Sequence, residues 1–209
     1  MNNEIAFSNT SGLASIADFG AGLANTAQTE LVQGNGGVPI LKMDRRGDWS
    51  YGMEGIEPEA GSLWAVNPMS LSHGYISWLE GKPAGEMMTT MAKPLPPVET
   101  MAPAPGEPWA KEYQAQLRCV EGQDKDEQVV FKGSSLGIQD CFAKLVPQIV
   151  ARIAGGSGEI VPVVALSTTS YQHTKYGKIY KPVLEVDHWE TMDGTSAPAQ
   201  IEESIDDLV

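Results

Sequence analysis

"SSLGIQDCFAKLVPQIVARIAGGSG", Ser134 to Gly158, interrupts a chain of strand-like segments with a different period. Leu136, Cys141, Phe142, Leu145, Ile149, Val150 and Ile153 recur at helical spacing, which predicts an amphipathic helix. Ser134 or Ser135 caps its start, and Gly155-Gly156 ends it. Pro147 lies inside and is expected to kink it. Nearly every other regular segment reads as strand, so the place of this one helix in the strand order is the main topological clue.

Downstream, "EIVPVVALSTTSY" (Glu159–Tyr171) and "GKIYKPVLEVDHW" (Gly177–Trp189) read as two long strands joined by a short turn. Upstream, "VPILKMD" (Val38–Asp44) and "WSYGM" flank the turn "RRGD" as a hairpin. "SLWAVNP", "HGYISWLEG", "WAKEYQAQLRCVEG" and "QVVFKG" complete the strands. Residues 82–108 carry seven prolines and four methionines and are expected to be a long irregular insertion loop. Pro162 and Pro182 fall inside strands and should mark edges or bulges. The expected class is mainly β (α+β): an OB-like antiparallel β-barrel with one helix before the last two strands, since a five-stranded Greek-key barrel of this kind binds ligands through the loops joining strands one and two and strands four and five.

Three regions follow. Residues 1–37, rich in Gly, Ala, Ser and Asn, form a flexible or marginally helical arm, with Leu13, Ile16, Phe19 and Leu23 at helical spacing and Gly20 and Gly22 against it. Residues 38–189 are the folded domain. Residues 190–209 are an acidic, disordered tail.

The chain of 209 residues carries a formal charge of −13, which by itself argues against a nucleic-acid partner. Its distribution argues otherwise. Glu190 to Val209 holds six acids and no base, leaving 21 acids against 14 bases in the rest. No apolar run is long enough to span a bilayer, so no membrane association is expected. The N-terminus lacks a basic signal segment, and a cytoplasmic location (the host cytoplasm for a phage protein) is expected. Cys119 and Cys141 form no metal-binding motif, and no metal or cofactor is expected.

Catalytic patterns are weak. "FGAGLA" (Phe19–Ala24) lacks the strand and third glycine of a dinucleotide loop, and "VFKGSSLG" is no phosphate-binding P-loop. His73, His173 and His188 are scattered. Glu185 and Asp187 share a strand face, an arrangement a metal-dependent nuclease can use, but a solvated strand face explains it as well. The chain is therefore read as a non-enzyme.

Binding patterns are stronger. "YQHTKYGKIYKP" (Tyr171–Pro182) holds three tyrosines, three lysines and a histidine without an acid. Lysine neutralises phosphate and aromatic rings stack bases, the combination that grips single strands. Tyr171, Lys175, Tyr176, Lys178, Tyr180 and Lys181 are the candidates here, with Lys178 and Tyr180 on one strand face. Lys42, Arg45, Arg46, Trp49 and Tyr51 form a second basic-aromatic patch, whose hairpin tip is expected to face the same cleft. Trp64, Tyr75 and Trp78 fit core packing or the same surface. In the tail, Glu202, Glu203, Ile205, Asp206, Asp207, Leu208 and Val209 combine acids with an apolar end. Such a peptide imitates a phosphate backbone, and its tether gives it a local concentration of about millimolar order.

These features together resemble the single-stranded-DNA-binding proteins of bacteriophages and bacteria: an OB-like body, aromatic-basic hairpins, and the terminal "IEESIDDLV" like their acidic tails. The resemblance implies sequence-independent, non-catalytic single-stranded DNA binding in phage replication, recombination or repair. It also implies a tail that competes for the groove and recruits replication or recombination proteins. A homo-oligomer is compatible with it. The rival readings are a phage structural or assembly protein and a metal-dependent nuclease.

Overall fold

The computed structural model describes residues 37–192. Residues 1–36 of the N-terminal arm and residues 193–209, the tail residues Glu202 to Val209 among them, lie outside the described residues.

Among the described residues, nine strands and one α-helix make up the fold. The strands are β1 (Ile40–Met43), β2 (Trp49–Tyr51), β3 (Leu63–Val66), β4 (Ser72–Leu79), β5 (Lys82–Thr90), β6 (Ala110–Glu121), β7 (Gln128–Gly133), β8 (Glu159–His173) and β9 (Gly177–Thr191); α1 (Leu136–Ala154) stands between β7 and β8. They form one mainly antiparallel sheet in the order β2-β1-β7-β6-β3-β8-β9, with β4 pairing to β6 and β5 to β4. β3 and β4 lie end to end on one edge of β6: Val66 opposes Leu117, and Ser72 opposes Gln114. The 3-10 turn Pro68–Ser70, capped by the Asn67 side chain, bends the chain between them. β1 runs parallel to β7, with Leu41 beside Phe131.

The sheet is a curled, open half-barrel. Its two ends approach one another through side chains: the Trp49 indole N–H donates to the Ser167 carbonyl at 3.2 Å, and the Thr168 hydroxyl donates to the Gly47 carbonyl at 3.0 Å. α1 packs against β9, β8 and β6. Ser135 accepts from the Ile138 amide as the N-cap, and the helix continues through Pro147. Cys141, Phe142, Leu145 and Ile149 are its buried face, whereas Leu136, Val150 and Ile153, expected on that face, are exposed. Spacing marked the helix correctly, but only a stripe one or two side chains wide meets the sheet.

The core is contiguous. Phe142 stacks on Phe131 at 5.8 Å, Phe131 meets Trp49 at 5.5 Å, and Trp64 meets Tyr51 at 6.1 Å. Leu41, Val66, Leu117, Cys119, Val129 and Val164 fill it. Both cysteines are buried thiols, and burial pushes Cys141 up to about 11.

Residues 82–108 are not irregular throughout. Lys82–Thr90 is β5, an edge strand along β4, and the irregular part begins after it. Pro83 is tolerated because it sits at the start of an edge strand, beside the register shift at Ser77/Trp78. The remaining loop is pinned: Tyr75 donates to the Pro96 carbonyl, Ser77 to the Glu107 carbonyl, and the Trp109 indole to the Ala102 carbonyl. Pro162 lies beyond the reach of β3 and next to register shifts in β8, and Pro182 lies on the edge strand β9. β9 continues to Thr191, two residues into the stretch assigned to the tail.

Candidate nucleic-acid interface

β8 and β9 are each fifteen residues long, but β3 pairs only with Val163 to Ala165 of β8. The distal half of this hairpin therefore projects past the sheet. No acid occurs between Glu159 and Glu185, so the projection carries Lys175, Lys178 and Lys181 without a carboxylate of its own. In an acidic chain this is a locally basic, acid-free segment.

Cross-strand register distributes the side chains. Tyr171 opposes Ile179, and Thr169 opposes Lys181, so these share one face; Gln172 opposes Lys178, and Ser170 opposes Tyr180, on the other. The turn Thr174–Tyr176 closes the end, with Gly177 at φ +74°, a conformation suited to glycine. Each tyrosine of the hairpin has a lysine over its ring. Lys175 is 5.2 Å from the Tyr176 centroid, Lys178 is 4.7 Å from Tyr180, and Lys181 is 5.4 Å from Tyr171. Tyr171 and Tyr176 are 43% and 67% exposed, so their rings are accessible for stacking. Tyr180 is half-buried.

The β1–β2 tip meets this hairpin. A methyl in place of a Gly47 hydrogen would lie 2.7 Å from Cδ1 of Tyr180 and 2.9 Å from Cγ2 of Thr168. Gly47 has φ +93° and follows Arg45 and Arg46, which are thereby carried to the flank of the hairpin. The Asp44 carboxylate sets the turn by accepting from the Arg46 and Asp48 amides at 2.7 and 3.0 Å.

The residues of the early patch part ways in the fold. Arg45 and Lys42 are exposed. Arg46 is engaged by Asp44 at 3.0 Å and Asp48 at 3.4 Å, which raises its already high pKa and consumes much of its charge locally. Tyr51, expected in the interface, is 5% exposed; its hydroxyl donates to Asp124 at 2.8 Å, and burial together with that bond pushes it up to about 12. Trp49, also expected there, is held against Phe131 by the core. Both rings face inward because they alternate with Ser50, which points the other way. Trp64 and Tyr75 are likewise buried, while Trp78 is half-buried.

Residues outside the expected set also shape the site. Asp140, early in α1 just past its first turn, accepts from Lys181 at 2.7 Å, and that bond holds its carboxyl below the usual range. Gly137 lets α1 approach Lys181 and Pro182, whose side chains would be 3.2–3.4 Å from an added Cβ. His173 accepts the Lys175 and Tyr176 amides. Elsewhere, a groove of about 350 Å³ on the outer side of β6 is lined by Asn67, Gln116, Arg118 and Gln128; its arginine is engaged by Asp126 at 2.6 Å.

Among the described residues no group of three or more His, Cys, Asp or Glu side chains is arranged to hold a metal ion, and no helix is long and apolar enough to cross a membrane. Glu185 and Asp187 are exposed on β9, where the His188 ring bonds Asp187 at 2.8 Å and raises its own pKa. Comparison of the chain with family models, with curated proteins and with solved structures yields no match.

Proposed function

We propose that the protein binds single-stranded DNA without catalysis and with little sequence preference, using the projecting end of the β8–β9 hairpin. The observation that carries this reading is the acid-free hairpin end on which three tyrosines each lie beneath a lysine. Every base has a π-face, so an exposed ring accepts any base and contributes about 1–3 kcal/mol per stack. Lysines displace the counterions of the phosphates, which makes affinity fall with salt. Duplex DNA hides its base faces, so stacking selects the single strand.

The strand order supports an OB-like assignment. A Greek key has three consecutive antiparallel strands and a fourth that returns by a long connection to lie beside the first, in the spatial order 4-1-2-3. Taking β3 and β4 as one bent strand, β6 and β7 follow it, α1 makes the long connection, and β8 returns beside β3. β9 is then the fifth strand and Thr174–Tyr176 the loop between strands four and five, a ligand-binding position in such barrels. β5 and its following loop lengthen the connection between strands one and two. The β1–β2 hairpin stands in the opening between β7 and β9.

The acidic tail, residues 193–209, then acts as a competitor for the lysines and, once displaced by DNA, as the docking peptide for replication or recombination proteins. The setting is phage replication, recombination or repair.

Photo-cross-linking tests the site. Ultraviolet irradiation of the protein with oligo-dT, followed by peptide mapping, should mark Tyr171, Tyr176 or Tyr180. Cross-links confined to the Gln116 groove, or none at all, would count against it.

A further inference from the structure

We infer that His173 closes the turn of the β8–β9 hairpin only while its ring is neutral, so that the candidate DNA site is built around a pH-sensitive latch. The inference rests on the binding reading for its consequence, but its structural half stands apart from it.

The Nδ1 atom of His173 lies 3.0 Å from the Lys175 amide and 3.3 Å from the Tyr176 amide. A backbone N–H only donates, so Nδ1 accepts from both and carries no proton; the ring is the Nε2–H tautomer. The same ring rests against Tyr176 with centroids 4.9 Å apart. One imidazole thus orders both residues that the turn presents, Lys175 through its amide and Tyr176 through amide and ring.

A proton on Nδ1 removes the acceptor. Two amide donors then face a third N–H, and the turn loses both bonds at once. Imidazole is the side chain whose ordinary charge change falls between about pH 5 and 8. The charged and titratable groups around it are Lys175 and Tyr176 of its own turn, Lys178 across the hairpin, and Tyr171 and Lys181 along its own face. Asp140, on α1, is occupied by Lys181. The hairpin itself offers an imidazolium no carboxylate.

Two effects on DNA binding oppose one another. An added positive charge attracts phosphate, whereas release of the turn frees Tyr176 from its stacking position. The latch reading holds that the second dominates.

The test is two-dimensional NMR of the full chain between pH 5 and 8, with oligo-dT binding measured in parallel. The Lys175 and Tyr176 amides should shift in step with the His173 ring protons. In His173→Asn, whose side-chain oxygen can accept the same amides, they should stay fixed. Stationary amides while the ring titrates overturn the inference. Binding by the parent should fall about threefold or more as the ring protonates, beyond any change in His173→Asn; identical pH profiles overturn the regulatory half. Moving amides in a protein that binds oligo-dT at no pH would uphold the latch and reject the DNA-binding reading.

Discussion

Gly47 and Tyr180, far apart in sequence, touch so closely that a Cβ on the glycine would sit 2.7 Å from the tyrosine ring. This contact joins the β1–β2 tip to the β8–β9 hairpin. It is the point at which the tip that carries Arg45 and Arg46 meets the lysine-tyrosine hairpin.

Gly47→Ala tests that junction. At φ +93° a side chain costs about 1–2 kcal/mol before any clash, and the Tyr180 ring must also shift. A lower urea midpoint with an unchanged slope is expected, together with weaker oligo-dT binding. Unaltered stability would mean that the hairpins do not need each other.

Tyr176 is exposed at the turn and Tyr51 is buried with its hydroxyl on Asp124. Tyr176→Ala should therefore weaken oligo-dT binding by about 5- to 160-fold, the equivalent of one lost stack, and leave the melting temperature nearly unchanged. Tyr51→Phe should do the reverse, removing about 1 kcal/mol of stability through one hydrogen bond and sparing affinity. Titration and thermal melts of the two variants separate these roles.

Asp140 restrains Lys181 at 2.7 Å. Asp140→Asn frees the ammonium for phosphate. Affinity at low salt should rise, and the slope of log K against log salt should steepen by roughly one phosphate contact. A flat response would show that Lys181 stays on the Tyr171 ring and takes no phosphate.

Glu112 is 1% exposed, and its Oε2 has no hydrogen-bond partner. Burial raises its pKa, opposed by Lys132 and reinforced by Glu86. The folded state therefore holds the proton more tightly than the unfolded chain does. Stability from this group is greatest below the ordinary glutamate value of about 4.3 and declines as pH rises through the folded-state value. Glu112→Gln should melt higher than the parent at pH 7, and the gap should close at pH 4. A gap that widens on acidification would mean that folding lowers the Glu112 pKa instead of raising it.

The helix and the closing hairpin were legible because each has a clean period and a clear stop: Cys141, Phe142, Leu145 and Ile149 on one face, then Gly155-Gly156, and a long hairpin broken only at Thr174–Tyr176. β5 was not, because Pro83, Gly85 and the paired Met87 and Met88 resemble no strand; β4 supplies the pairing that makes it one. The two tyrosine-rich patches looked alike in sequence. What separates them is remote. Asp124 is 73 residues from Tyr51, and Phe131 fixes Trp49 from another strand. Asp140 was likewise invisible as a partner of Lys181, 41 residues away. Local composition found the exposed pole of the molecule, but which side of each strand faced inward depended on the assembled sheet.

The proposed surface on the β8–β9 hairpin is non-catalytic and single-strand-selective. Fluorescence anisotropy with labelled oligo-dT and with a duplex of equal length, at two salt concentrations, tests both properties together. The expected result is binding to the single strand well in excess of the duplex, weakened by salt, with the probe intact and with tighter binding after removal of residues 193–209. Absence of oligo-dT binding at low salt, with and without those residues, would contradict the claim.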